Sequence, residues 1–165
     1  MKIAARPFPS YRQLVQTYPS QTRLILVILL TRYPLMPGDL WFFQHQGVGL
    51  NDLTLPTGKH PNAPLATPLI LACEYRNTVA IRSLIACGAS VNVPDYQGRS
   101  PMQALLWPNS VQGRATSLTR VVEGCELLIR AGGRYHFTPD WLDRVLEAYD
   151  EAPYIQFLIL LSRES

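Results

Sequence analysis

The most regular hydrophobic pattern in this chain begins just after a Thr-Pro pair. Leu69, Ala72 and Cys73 fall on one helical face behind Thr67-Pro68. A polar break at Arg76-Asn77 follows, and Val79, Ala80, Ile81, Leu84 and Ile85 then repeat at helical spacing over 78–87. Thr67 suits an N-cap, and Pro68 suits a first turn, where its missing N–H costs nothing. Gly88 sits where the second helix must end, at a position that favours left-handed backbone. Val91 and Val93 alternate as a short extended arm, and Asp95-Tyr96-Gln97-Gly98 predicts a turn.

The pattern then returns. Ser100-Pro101-Met102 repeats Thr67-Pro68-Leu69 after 33 residues. Ala104-Leu105-Leu106 continues that helix. A second helix is predicted over 118–131, with Val121, Val122, Leu127, Leu128 and Ile129, stopping at Gly132-Gly133. From Gly88 to Gly132 is 44 residues, so this unit is longer by about 11, which places an insertion at 108–117. Upstream, Gly47-Val48-Gly49-Leu50-Asn51 aligns with Gly88-Ala89-Ser90-Val91-Asn92 at an offset of 41, leaving a long finger over 52–66. Helices are predicted before it over 20–32 and 37–46, with a short leading helix over 11–18. Thr138-Pro139-Asp140 opens another helix, with the acid at the positive end of its dipole, and a last helix covers 153–163.

A fixed 33-residue period with a Thr-Pro-Leu opening is the mark of one repeat architecture. Over residues 67–102 the chain resembles an ankyrin repeat. The resemblance implies an all-α, helix-turn-helix solenoid of about four repeats with finger-like turns and atypical terminal repeats. Its units would be 1–46 with an N-terminal cap, 47–87, 88–131 and 132–165. It also implies binding through the concave face. The family's recognition positions fall here on Pro94, Tyr96, Gln97 and Arg99 in the finger, and on Glu74, Tyr75 and Trp107 on the first helices. Of these, Tyr75, Tyr96, Arg99 and Trp107 are of types enriched in binding hot spots. Two positions depart from the family pattern: Ile70 stands where a His is usual and Arg76 where a Gly is usual, which raises a question about the backbone at 76.

Composition narrows the functional classes. Hydrophobic residues make up 47% and charged residues 16%, which argues against disorder. The net charge of +3, with no Lys/Arg run, falls short of a nucleic-acid-binding stripe. The apolar run at 24–30 is too short to span a bilayer, and the N-terminal decapeptide lacks the apolar region of a secretion signal, so a cytoplasmic protein is expected. Cys73, Cys87 and Cys125 form no CxxC pair and read as packed thiols. His45, His60 and His136 fall in different units, with no nucleophile–base or metal-ligand spacing. Thr57-Gly58-Lys59-His60 lacks the frame of a phosphate loop and reads as a polar turn.

The expectation is therefore a non-catalytic, monomeric protein–protein interaction module with no cofactor, metal or small-molecule substrate. Inhibitor, immunity and adaptor proteins are the leading roles, and a secreted effector acting on a host protein is the alternative. A self-associating scaffold is a third reading, prompted by the aromatic run Trp41-Phe42-Phe43.

Overall fold

The computed structural model describes residues 11–53, 55–56, 65–107 and 118–164. The insertion at 108–117, the Thr57-Gly58-Lys59-His60 turn and most of the 52–66 finger lie outside them. The chain is mostly helical. In order come α1 (Tyr11–Thr17), a 3-10 turn (Pro19–Gln21), α2 (Thr22–Arg32) and α3 (Pro37–His45). After β1 (Leu55–Pro56) and β2 (Leu65–Ala66) follow α4 (Pro68–Glu74), α5 (Thr78–Ala86), α6 (Pro101–Leu106), α7 (Leu118–Arg130), α8 (Pro139–Ala148) and α9 (Pro153–Leu161).

Helix starts follow from the residues that cap them. The hydroxyls of Thr67, Ser100 and Thr138 accept from the amides of Ile70, Gln103 and Trp141 at 3.2, 3.1 and 3.3 Å. Each cap residue is extended, and a proline follows it. At α6 the Gln103 side chain also accepts from the Ser100 amide at 2.8 Å, closing a reciprocal box.

Helix ends repeat just as closely. Gly47, Gly88 and Gly132 follow α3, α5 and α7 with φ of 90°, 94° and 90°. At each, the glycine amide donates to the carbonyl three positions back, of Gln44, Ile85 and Ile129, and the next residue's amide reaches back five positions: Val48 to Phe43, Ala89 to Leu84 and Gly133 to Leu128, at 3.1, 2.9 and 2.9 Å. The end of α4 makes the same two bonds, Arg76 to Cys73 and Asn77 to Ala72, but its left-handed residue is Arg76, at φ 53°. An αL backbone disfavours any residue with a Cβ, so the local geometry alone would select glycine here.

Packing links these elements in two rows. α2 packs on α4 and α4 on α6, while α3, α5, α7 and α9 follow one another in a second row; α4 also packs on α5, and α6 on α7. The buried side chains form one cluster running from Tyr11 to Ile159. Equivalent asparagines tie successive segments: Asn51 Oδ1 accepts from the Ser90 amide at 2.7 Å, and Asn92 Oδ1 from the Arg134 amide at 3.1 Å. Asn51 and Asn92 each lie four residues after the glycine that ends a helix, and Ser90 and Arg134 each lie two after it. The internal repetition therefore extends to hydrogen bonds as well as to sequence spacing.

The arm at 91–93 departs from the sequence reading. Residues 91–92 form a turn instead of an extended strand, and the buried Tyr135 hydroxyl donates to the Val91 carbonyl at 2.9 Å. With no neighbouring strand among the described residues, that carbonyl is satisfied by a side chain. Ladder pairing appears instead where the finger leaves and returns, with Leu55 opposite Ala66 and Pro56 opposite Leu65 in antiparallel register. The Tyr96 amide donates to Leu65 O at 3.0 Å, which fixes the Asp95–Gly98 turn beside that arm.

The aromatic run in α3 is largely consumed internally. Phe43 is buried, and Tyr11 of α1 stacks on it at 5.7 Å and meets Phe42 edge-on at 5.6 Å. Trp41 alone of the three is largely exposed, at 59%.

Candidate functional site

The expected binding residues divide between two clefts, one exposed turn and, for Glu74, the end of α4. The larger cleft, about 560 Å³, is lined by Gln97, Gly98 and Arg99 of the turn before α6, by Gln103 and Trp107, and by His136, Thr138 and Trp141 at the start of α8. It brings together three of the expected residues, Gln97, Arg99 and Trp107. Its far wall went unassigned in the sequence. Thr138-Pro139 was legible as a helix start, but nothing in the sequence placed it opposite Gln103 and Trp107. Trp141 is half-buried and stacks on Phe137 at 4.8 Å, so its indole is fixed before any ligand arrives.

The turn that builds this cleft is organised around Asp95. Its buried carboxylate accepts from the amides of Gln97 and Arg99 at 3.0 and 2.8 Å, and from Arg99 Nε at 3.1 Å. Gly98 closes the turn at φ 82°, its amide donating to Asp95 O at 2.9 Å. Arg99 Nη2 also reaches Glu74 at 3.3 Å. Two of the expected contact residues, Glu74 and Arg99, thus pair with each other. Their first role is to hold the finger against α4, because the Arg99 guanidinium donates from Nε to Asp95 and from Nη2 to Glu74. Pro94 and Tyr96 lie on the outer face of the turn, with Tyr96 77% exposed, and do not line the cleft.

Trp107 caps α6, and its carbonyl is held from beneath. The buried Arg76 side chain donates from Nε to Leu105 O at 3.0 Å, and from Nη2 to Trp107 O at 3.4 Å and the Tyr149 hydroxyl at 3.3 Å. Tyr149 in turn donates to Leu106 O at 3.0 Å. The last carbonyls of α6, which no amide within that helix can satisfy, find partners in these two side chains. This accounts for an arginine in a left-handed position: its side chain gains several buried hydrogen bonds against a backbone cost of about 1 kcal/mol.

Tyr75 belongs to the second cleft, about 220 Å³, between the α2–α3 and α4–α5 turns. Its other lining residues are Thr31, Arg32, Tyr33, Pro34, Arg76, Asn77, Thr78, Val79 and Arg120. Asn77 Nδ2 donates to Leu30 O and Tyr33 O at 2.9 and 2.7 Å and so joins the two turns. Burial and the neighbouring Glu74 push the Tyr75 phenol above its ordinary pKa, and Arg32 opposes them. The phenol therefore remains a neutral donor at physiological pH.

The thiols are packing groups. Burial pushes Cys125 up to about 12 and raises Cys73 further; Cys125 Sγ lies 3.6 Å from Met102 Sδ. Among the described residues no group of His, Cys, Asp and Glu could hold a metal ion, and no helix is long and apolar enough to cross a membrane.

Comparison with protein-family models, with curated proteins and with solved structures finds no match to this chain.

Proposed function

We propose that this protein is a non-catalytic binding module, built as an ankyrin-like stack of helix pairs, that grips a protein partner in the groove between Gln97 and Trp141. The single observation carrying this reading is the groove itself: two half-buried indoles and two glutamine amides around about 560 Å³, on supports fixed without a ligand. Trp is among the residues that dominate interface energetics, and prior ordering lowers the entropic cost of association. The ankyrin-like part of the reading is supported by the repeated caps, the repeated glycine ends and the two equivalent asparagine ties.

A role as inhibitor, immunity or adaptor protein fits such a module, because occupying a partner's surface is then the whole activity. An effector acting on a host protein would use the same groove. Self-association is favoured by one specific feature, the outer face of α9, where Tyr154, Phe157, Leu160 and Leu161 are all about half exposed. Sedimentation velocity separates the two readings: a concentration-independent monomer removes self-association.

Affinity capture with mass spectrometry tests the main reading, comparing wild type with Trp107→Ala. Arg76 bonds the Trp107 carbonyl and not its indole, so truncation leaves that tie in place. A protein recovered by wild type should bind the variant more weakly by about 2 kcal/mol or more, measured by calorimetry. Equal affinity in a folded variant refutes the groove as the contact.

A further inference from the structure

The second cleft has an electrostatic character that the first lacks. Arg32, Arg76 and Arg120 all line it, and no carboxylate does. Arg32 and Arg120 are exposed at its rim, and among the described residues neither forms a salt bridge or a hydrogen bond through its side chain. Arg76 is buried at 2% exposure, and its bonds to Leu105, Trp107 and Tyr149 all go to neutral oxygens. The acids in this neighbourhood are engaged elsewhere. Glu74, which acts on Tyr75, pairs with Arg99; Glu123, one turn along α7 from Arg120, pairs with Arg82 at 2.7 Å.

Two exposed guanidinium groups at the mouth of a concave surface, neither in a salt bridge among the described residues, with a third cation buried beneath them, concentrate positive potential there. The Tyr75 phenol and the first turn of α5, beginning at Thr78, add neutral donors to the same walls. Arginine presents a planar fork of N–H groups that matches a tetrahedral oxyanion, and clusters of it read phosphorylated motifs. The volume of about 220 Å³ is below the roughly 300 Å³ at which drug-sized ligand pockets begin. That space suits one charged group better than a whole drug-sized ligand.

We propose that the cleft between the α2–α3 and α4–α5 turns is an oxyanion site for a single phosphoryl group, free or carried on a side chain of a bound protein. Arg32 and Arg120 close on the phosphoryl oxygens from the rim. Buried Arg76 supplies charge from below while it keeps its structural bonds, and Tyr75 donates from the side. The site is separate from the groove at Trp107, so it stands or falls independently of that groove.

The test is a titration of the full chain, followed by the arginine Nε–H signals in nitrogen-15 NMR. The probes are inorganic phosphate, a phosphoserine peptide and the same peptide unphosphorylated. Arg32 and Arg120 signals should move with the first two and stay still with the third. The variant Arg32→Gln/Arg120→Gln, whose fold is checked by circular dichroism, should bind at least about tenfold more weakly, as expected for losing charge-assisted bonds. Tighter binding of the phosphopeptide than of phosphate assigns the group to a protein, and equal binding assigns it to the free ion. Failure of both phosphorylated probes to move these signals, or undiminished affinity in the double variant, overturns the proposal. So does an equal response to the unphosphorylated peptide.

Discussion

The two clefts are both lined by arginine, yet the same residue type has opposite consequences in them. Beside the Trp107 groove, Arg99 is held by Asp95 and Glu74, at 3.1 and 3.3 Å, and its charge is spent on shaping the finger. In the cleft at Tyr75, Arg32 and Arg120 form no salt bridge among the described residues, and both side chains are exposed. The lesson is that counter-charge, and not residue type, decides whether an arginine is structure or recognition. Arg76 joins the two regions: its side chain holds the carbonyl of Trp107 on one side and lines the basic cleft on the other.

Removing Arg76 should therefore have the largest effect, because it damages both regions together. Arg76→Ala leaves carbonyls at the end of α6 unpaired and keeps a Cβ at φ 53°. The expected loss is about 3 kcal/mol or more in urea denaturation, the range for breaking a buried polar network. Arg76→Gly loses the same bonds but relieves the backbone, so it should be more stable than Arg76→Ala by about 1 kcal/mol. An alanine variant as stable as wild type would show that the buried bonds contribute nothing.

Asp95→Asn sharpens the contrast by weakening only the groove side. It keeps the volume and an acceptor for the turn amides but removes the charge that fixes Arg99. A loss of about 1–3 kcal/mol is expected from a buried charge-assisted bond, with phosphate binding in the other cleft unchanged. If Asp95→Asn weakens phosphate binding as much as Arg32→Gln/Arg120→Gln does, the two regions are not separable.

The effect of alkali is the smallest, being absent at neutral pH. Burial raises the phenol pKa of Tyr135 and of Tyr149, and Arg76 partly opposes this at Tyr149. With the folded pKa raised, the unfolded chain loses these protons first, near pH 10. The stability they contribute is complete below that pH and falls as pH rises through the folded values. Urea midpoints should be flat near neutral pH, start to fall above about pH 8.5, where the buried thiols of Cys73 and Cys125 also ionise first in the unfolded chain, and fall further above about pH 10, less steeply there in Tyr135→Phe. A midpoint that rises with alkali contradicts the assignment.

The repeating scaffold was legible in the sequence because its signals are local. Thr67, Ser100 and Thr138 cap, a proline follows each, and Gly47, Gly88 and Gly132 take left-handed backbone; each is decided by a few neighbouring residues. Arg76 was not, because its conformation is compensated by carbonyls some 30 residues away and by Tyr149, 73 residues away. The groove was half legible. Its near wall follows from the turn before α6, but His136 and Trp141 enter only through the packing of the next helix. Tyr75 and Trp107 each follow the last residue of their helix, although the 33-residue offset pairs Trp107 with Glu74, and they line different clefts. α6 ends in Trp107 with extended backbone, whereas α4 ends in the left-handed Arg76 turn. The basic cleft carries no sequence signature, because Arg32, Arg76 and Arg120 are brought together from the end of α2, the α4–α5 turn and the start of α7.

Proton exchange at the arginine side chains, measured by NMR on the isolated protein, tests this division most directly. The account predicts slow exchange at the Nε–H of Arg76 and Arg99, which donate to Leu105 O and Asp95, and fast exchange at those of Arg32 and Arg120. Four arginines exchanging alike, or Arg99 exchanging as fast as Arg32, would contradict it.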